Sequence, residues 1–148
     1  MKNQSVKYKF AILALTALLS ACASVPMGST EADGEAKKFV APTDKAHIYL
    51  YRNEAMGSAL KIPVTLDGRV MGQTAPNVYF VWDVNPGPHE INCLADSNGV
   101  LHLDVKKGQI AYVWQEMKMG MWSGACALNE KSAAEGQKAI VEDCKLAR

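Results

Sequence analysis

Short runs of alternating hydrophobic and polar residues, divided by turn residues, fill most of the chain after residue 45. Such runs are typical of half-buried β-strands rather than of helices. Six to eight strands at regular spacing, without βαβ alternation, predict a mainly β fold. We expect a small antiparallel β-sandwich whose strand order the pattern leaves open. The strand candidates are 47–52, 62–66, 69–73, 77–84, 89–95, 100–105, 110–119 and 125–128. The second and third of these form one hairpin.

Turn and cap residues sharpen this pattern. Asp67-Gly68 predicts a two-residue hairpin turn, because that turn type needs a positive φ at both central residues. Pro86 followed by Gly87 suits the central positions of a type II turn. After residue 131 the pattern changes, and Ser132 and Glu135 have the spacing of a capping box. One short C-terminal helix is therefore predicted over 133–143.

The first 21 residues follow a different pattern. Three lysines precede an uninterrupted apolar run over 10–19, which has the length of a signal-peptide core. A membrane-spanning helix needs roughly 20 apolar residues. The run ends in Leu19-Ser20-Ala21-Cys22, which resembles a bacterial lipobox. In that motif the bond between Ala21 and Cys22 is cut, the Cys22 thiol receives a diacylglycerol, and the new amino group is acylated, typically with palmitate.

These features predict a lipoprotein signal peptide over 1–21 with Cys22 as the lipid attachment site. An ordinary signal peptide cut nearby is the alternative, and it would leave Cys22 a free thiol. Multiple lipid chains give firm anchoring to a membrane without spanning it. Sorting rules for such lipoproteins imply the periplasmic face of the outer membrane of a Gram-negative cell, because residue 23 is Ala rather than Asp.

The remaining chain divides into two parts. Residues 22–45 are rich in Ser, Thr, Gly, Pro and charge, which predicts a flexible tether. Residues 46–148 predict one domain. Loss of the three signal lysines leaves 13 basic and 15 acidic residues, a net charge of −2. With neither a basic surplus nor a basic stripe, no nucleic-acid partner is predicted.

Five short motifs carry a resemblance by their order and spacing. They are AHIYLYR (46–52), LDG (66–68), NPGPH (85–89), KGQIAY (107–112) and EDCKL (142–146). Together they resemble the bacterial lipoproteins that carry the domain of unknown function numbered 2846. The DG hairpin followed by a PG-x-H turn is also similar to PEGA-type domains. The resemblance covers nearly all of 46–146. It implies a small PEGA- or transthyretin-like β-sandwich on the cell envelope and supplies no catalytic residue.

Cys93 and Cys126 are additional to this family pattern, which has its cysteine near the C-terminus. An exported chain permits disulfides. The resemblance therefore favours a disulfide between Cys93 and Cys126, with Cys144 left over. A Cys126–Cys144 pair is the alternative. No Cys-x-x-Cys is present, and spacings of 33 and 18 residues match no zinc module.

Motifs for catalysis or cofactor binding are absent from the sequence. It contains neither G-x-S-x-G nor a glycine-rich phosphate loop, and its three histidines (His47, His89 and His102) lack the spacing of a ligand pair. We therefore predict no catalytic residue, no cofactor and no metal site. One alternative is a Cu(I) site, because Met117, Met119 and Met121 share strand parity. Methionines that fill an irregular core are the simpler interpretation.

The predicted function is a lipid-anchored, non-catalytic envelope lipoprotein whose sandwich is a binding or structural module. Its partners would be the membrane, through the anchor, and an envelope protein or a polysaccharide, the latter stacking on an exposed Trp82 or Trp114. The alternative is an envelope enzyme or copper-handling protein with an unrecognised site. A deep polar pocket would favour the alternative, whereas an exposed apolar patch or open edge strand would favour the module.

Overall fold

The computed structural model describes residues 24–119 and 124–148, so the predictions made for Ala21, Cys22 and Met121 lie outside the described residues. Within these ranges the chain forms nine strands and two helices. None of the described helices combines the length and the apolar character that crossing a membrane requires. The elements are α1 (Thr30–Ala36), β1 (Ala46–Arg52), β2 (Ile62–Leu66), β3 (Arg69–Thr74), β4 (Val78–Val84), β5 (Gly87–Cys93), β6 (Gly99–Val105), β7 (Ile110–Met119), β8 (Gly124–Lys131), α2 (Ala133–Asp143) and β9 (Lys145–Leu146).

The strands form two sheets that pack face to face, which confirms the predicted mainly β sandwich. The first sheet has the order β8-β7-β1-β4-β9 and the second the order β3-β2-β5-β6. Most pairs are antiparallel, but β1 pairs in parallel with β7, and β4 with β9. The first sheet is therefore mixed. Strand β6 belongs to the second sheet and ends at the level where β1 begins. The chain therefore returns to the first sheet at that level, and β7 runs beside β1 in the same direction.

Alternate residues of each strand point into the space between the sheets and form the main core. Ile48 and Leu50 of β1 meet Val64 and Ile91 of the second sheet, and all four side chains are fully buried. Full burial of one such side chain contributes roughly 1.5–3 kcal/mol. Trp82 lies in the same core. The hypothesis that Trp82 is exposed for sugar stacking is therefore wrong, because strand parity turns its ring inward.

The outer face of the first sheet carries a second apolar cluster under the helices. It consists of Tyr49, Tyr51, Tyr79, Tyr112, Ile140 and Cys144. Helix α2 begins at the predicted capping box, in which the Ser132 Oγ accepts from the Glu135 N–H while the Ser132 N–H donates to the Glu135 carboxylate. Gly136 allows the helix to approach closely, since a Cβ there would lie 2.5 Å from the Tyr112 side chain.

The predicted hairpin turn is also present. Asp67 has φ 51° and Gly68 has φ 76°, so both central residues adopt the left-handed conformation that this turn requires. The turn joins β2 and β3, which pair in antiparallel fashion from Leu66 and Arg69 outward.

The structure shows an ordered segment over 25–39, within the range 22–45 where the sequence predicts a flexible tether. Val25 is only 8 % exposed and belongs to the main core. Met27 forms an antiparallel bridge with Ala147, and the Gly28 N–H donates to the Leu146 carbonyl over 2.8 Å. The segment thus extends the first sheet beyond β9 before helix α1 begins.

Helix α1 is held on the tyrosine cluster by polar contacts that its composition does not reveal. The Tyr79 hydroxyl donates to the Asp33 carboxylate over 2.9 Å, and the Leu146 N–H donates to the same oxygen over 2.8 Å. The Tyr49 hydroxyl donates to the Ala36 carbonyl over 2.8 Å. Beyond the helix, the Phe39 ring packs on Tyr49 with 5.4 Å between ring centroids. A few well-placed contacts therefore order a segment without hydrophobic periodicity.

Candidate functional site at the two ends of the sandwich

The strands of both sheets end at two common levels, which gives the sandwich two ends of opposite chemistry. The polar end comprises residues 44–45 and the turns at 67–68, 85–86 and 106–109. The apolar end comprises the loops at 53–61, 75–77 and 94–98, together with the strand ends at Met119 and Gly124.

The polar end is organised around His89, the histidine of the PG-x-H motif. Its Nδ1 lies 2.7 Å from the Asp67 carboxylate, and its Nε2 lies 2.7 Å from the Asn85 carbonyl oxygen. The second oxygen of Asp67 accepts from the Glu90 N–H over 2.9 Å. The DG turn and the PG-x-H turn, 22 residues apart in sequence, are therefore fastened together by their own motif residues.

The partners of His89 favour its charged form. Burial alone disfavours the imidazolium, but the Asn85 carbonyl and the Asp67 carboxylate more than offset this, so the pKa of His89 is raised. Burial likewise acts to raise the pKa of Asp67, but the Glu90 N–H and His89 prevail and the pKa of Asp67 is lowered. Both ring nitrogens donate in the imidazolium, since their two neighbours are acceptors.

This arrangement favours a structural role for His89 over a catalytic or metal-binding role. A general base or a metal ligand needs a ring nitrogen with a free lone pair, and both ring nitrogens of His89 are already engaged, by Asp67 and by the Asn85 carbonyl. The adjoining cleft of about 310 Å³ is lined by Lys45, Arg69 and Asp83 among others. Asp83 is itself paired with His47 over 2.7 Å. In the described part of the chain, no group of three or more His, Cys, Asp or Glu side chains is placed to hold a metal ion.

At the apolar end, a buried arginine organises the loop 53–61. Arg52 points inward beside Ile48 and Leu50 and is fully buried. Its guanidinium donates to the carbonyls of Leu60, Met56 and Gly57 over 2.8–2.9 Å. Desolvation lowers the pKa of Arg52, and the charge of Glu54 opposes the shift. This role is not among the predictions from the sequence, although strand parity with Ile48 and Leu50 was an available signal.

Gln115 is a second fully buried polar residue of the interior. Tyr51 of β1 is the register partner of Trp114 of β7. Because the two strands are parallel, the next residues along them, Arg52 and Gln115, also lie side by side. The two side chains therefore occupy neighbouring positions on the inner face. Neither the oxygen nor the nitrogen of the Gln115 amide has a hydrogen-bond partner among the described residues. A buried amide in this state destabilises a fold by about 1–3 kcal/mol.

The disulfide lies at the same end. The structure joins Cys93, the last residue of β5, to Cys126 of β8, with 6.3 Å between their Cα atoms. This is the pair favoured over Cys126–Cys144. The bond links the two sheets covalently, and Cys144 is a free, buried thiol. Burial raises the pKa of Cys144 to about 12, so this thiol is unreactive at neutral pH.

Two of the three methionines of the copper hypothesis, Met117 and Met119, do not share a surface. Met117 is 3 % exposed and belongs to the main core, whereas Met119 is 85 % exposed at the end of β7. Met121 lies outside the described residues. The structure therefore favours the alternative interpretation for Met117, a thioether that fills the core. Trp114 is partly buried on the helix side, where the Lys131 ammonium lies 5.0 Å from its ring centroid.

The chain enters the domain at the apolar end. Ser24, Val25 and Met27 line a surface cleft of about 440 Å³ together with the loop 75–77 and with Lys145. Lys145 pairs with Val78, the first residue of β4. The residues next to the predicted anchor therefore lie beside the 75–77 loop and far along the strands from His89.

Comparison with known proteins gives this fold a family. The family model described as "Protein of unknown function (DUF2846)" matches residues 42–126. The chain belongs to the DUF2846 family. It is also similar to an uncharacterized protein of Haemophilus influenzae, with 36 % identity over 140 residues, covering 91 % of this chain and 83 % of the relative. The DUF2846 match includes the whole His89 cluster, Arg52 and both disulfide cysteines, and both helices lie outside it.

Proposed function

We propose that the protein is a lipid-anchored lipoprotein of the cell envelope whose β-sandwich is a non-catalytic binding or structural module. The observation that carries the proposal is the motif Leu19-Ser20-Ala21-Cys22 at the end of an apolar run of signal-peptide length. The Cys93–Cys126 disulfide supports export, because such bonds persist in oxidising compartments.

Two internal sets of hydrogen bonds support a non-catalytic role. The His89 ring hydrogen-bonds to the Asp67 carboxylate within the fold, and the Arg52 guanidinium donates to three carbonyls of the adjoining loop. A catalytic site needs at least one group held ready for a substrate, with its hydrogen-bonding capacity or its nucleophile free. The exposed apolar side chains at the other end are instead the kind of feature that marks an interaction surface.

The location follows from the anchor. With Ala23 after Cys22, the proposed destination is the periplasmic face of the outer membrane. The membrane is one partner, through the lipid, and an envelope protein or polysaccharide is the proposed second partner. No nucleic acid is proposed, since the mature chain would carry a net charge of −2.

The anchor is tested by the intact mass of the protein extracted from membranes. We expect a chain that begins at Cys22 and carries a diacylglycerol and an acyl group. A Cys22→Ala variant should keep its leader uncleaved at that bond and lack lipid. Cys144→Ala is the matched control, because it also removes one thiol and should be lipidated normally. A wild-type chain without lipid, or a lipidated Cys22→Ala chain, would refute the proposal.

A further inference from the structure

We infer that the apolar end is a membrane-contacting surface, whose exposed methionine and leucine side chains enter the headgroup region of the bilayer that holds the Cys22 lipid. The inference rests on the proposed lipoprotein function and adds to it an orientation and a contact surface. Its occupant is a phospholipid interface.

The first step is the short reach of the anchor. Cys22 lies three residues before Val25, and Val25 is fixed in the main core. A fully extended chain spans at most about 3.6 Å per residue, so these three residues reach roughly 10 Å. A tether ending at residue 45 would have allowed the domain to stand well away from the bilayer. Because residues 25–39 are folded onto the domain, only the residues between Cys22 and Val25 can separate the domain from the bilayer.

The second step is the side of the domain that the anchor holds against the membrane. Ser24 and Val25 line the cleft beside Ala75, Pro76 and Asn77, the loop between β3 and β4 at the apolar end. Asn77 and Asn53 both donate to Asp143, which connects this loop to the start of the loop 53–61. The end of the domain nearest to Cys22 is therefore the apolar end.

The third step is the chemistry of that end. The exposed large hydrophobic side chains at this end include Met27, Met56, Leu60, Leu94 and Met119. Gly124 pairs with Met119 and faces the Leu60 side chain, and its carbonyl accepts from the Asp96 N–H in the loop that Leu94 begins. The Arg52 guanidinium donates to the carbonyls of both Met56 and Leu60, which keeps these two residues in one loop. Exposed lysines, Lys61 and Lys145, lie at the same end. Apolar side chains flanked by lysines suit a shallow insertion beside lipid phosphates.

The test places one fluorophore at each end of the full-length lipidated protein. Met119→Cys and, as the matched control, Val70→Cys each carry nitrobenzoxadiazole, and both parent side chains are at least 70 % exposed. Cys144 should not react, because it is buried and the pKa of its thiol is raised. The labelled proteins are reconstituted in vesicles of phosphatidylethanolamine and phosphatidylglycerol, with and without nitroxide-labelled lipid.

We expect the label at 119 to show a blue-shifted emission and to lose intensity with the nitroxide lipid, while the label at 70 keeps the emission of a solvent-exposed dye. Similar emission and quenching at both positions, in protein whose mass shows the Cys22 lipid, would overturn the inference and leave the lipoprotein proposal standing. A mass without lipid would overturn both. A Met56→Glu change in the Met119→Cys protein should reduce the quenching, and unchanged quenching would also contradict the inference.

Discussion

The two ends of the sandwich are closed by different chemistry. At the polar end, the His89 imidazole and the Asp67 carboxylate fasten two turns, together with the Asn85 carbonyl and the Glu90 N–H. At the apolar end, a disulfide and a buried arginine hold the loops, and hydrophobic side chains still face outward. Stability at the first end should depend on pH, and at the second on redox state.

The contrast separates residues that build the domain from residues available to partners. At the polar end, Asp67 and His89 are paired with each other and with backbone groups, so the DG and PG-x-H motifs are best explained as folding determinants. At the apolar end, exposed methionine and leucine side chains are available to a partner. Substitutions at each end test this difference.

The largest effect is expected at Arg52. Arg52→Leu removes the donors of three carbonyls and should lower the free energy of unfolding by about 4 kcal/mol, as measured by urea denaturation. Arg69→Leu is the matched control, because Arg69 is exposed at the polar end and its loss should change stability by about 0.5 kcal/mol or less. Equal effects of the two changes would show that Arg52 does not hold the loop.

Loss of the disulfide should have the second-largest effect on the free energy of unfolding. Replacing both cysteines, Cys93→Ala with Cys126→Ala, opens a link across 33 residues and should cost about 3 kcal/mol. Reductant should destabilise the wild type by a similar amount and leave the double variant unchanged. The loss should be the same at pH 5 and pH 8, since no proton is involved. A wild type insensitive to reductant would contradict the covalent closure of this end.

His89→Gln should cost about 2 kcal/mol near pH 5.5, where both members of the pair are charged. The raised pKa of His89 means that its contribution is present below about pH 6.5 and is lost as the pH rises through the folded value. The lowered pKa of Asp67 means that its contribution is present above about pH 3.9 and is lost as the pH falls through its folded value.

Denaturation curves at several pH values check this prediction. The difference between the wild type and His89→Gln should be largest between about pH 4 and pH 6.5 and should shrink toward pH 9. His102→Gln is the control, because His102 is exposed and its nearest carboxylate, Glu90, is 3.8 Å away. A loss that is equal at all pH values would mean that His89 acts through packing alone.

The smallest expected change is a gain. Gln115→Leu replaces an unpartnered buried amide by an apolar side chain of similar size, and should raise the free energy of unfolding by about 1 kcal/mol. Gln137→Leu is the control, since the Gln137 amide donates to the Tyr112 hydroxyl over 2.8 Å. Destabilisation by Gln115→Leu would show that the amide is satisfied in solution.

Local rules predicted the parts of this fold that local chemistry decides. The Asp67-Gly68 turn and the Ser132–Glu135 cap follow from two or four adjacent residues, and the strands from their alternation. The parallel pairing of β1 with β7 depends on which sheet β6 joins, which no local pattern encodes. The resemblance brought Asp67 and His89 into one motif set, but only the three-dimensional register shows that they touch.

The ordered segment 25–39, which the sequence predicts as part of a flexible tether, shows most clearly what local rules cannot predict. Helix α1 buries no residue of its own and is fixed by Asp33, Ala36 and Phe39 against distant tyrosines. Ser29, which caps the helix, and the acidic Glu31 and Asp33 in its first turn were the available sequence signals. Without knowledge of the tyrosine cluster, they could not outweigh a polar composition.

That segment determines how far the domain can stand from its anchor, so hydrogen exchange over 25–39 in the full-length protein tests the central claim most directly. The N–H groups of Gly28, Asp33 and Lys37 donate within the fold. They should therefore be protected far more strongly than those of an unstructured peptide, and Asp33→Asn should weaken this protection. Exchange across 25–39 at the rate of an unstructured chain would contradict the claim and restore a flexible tether.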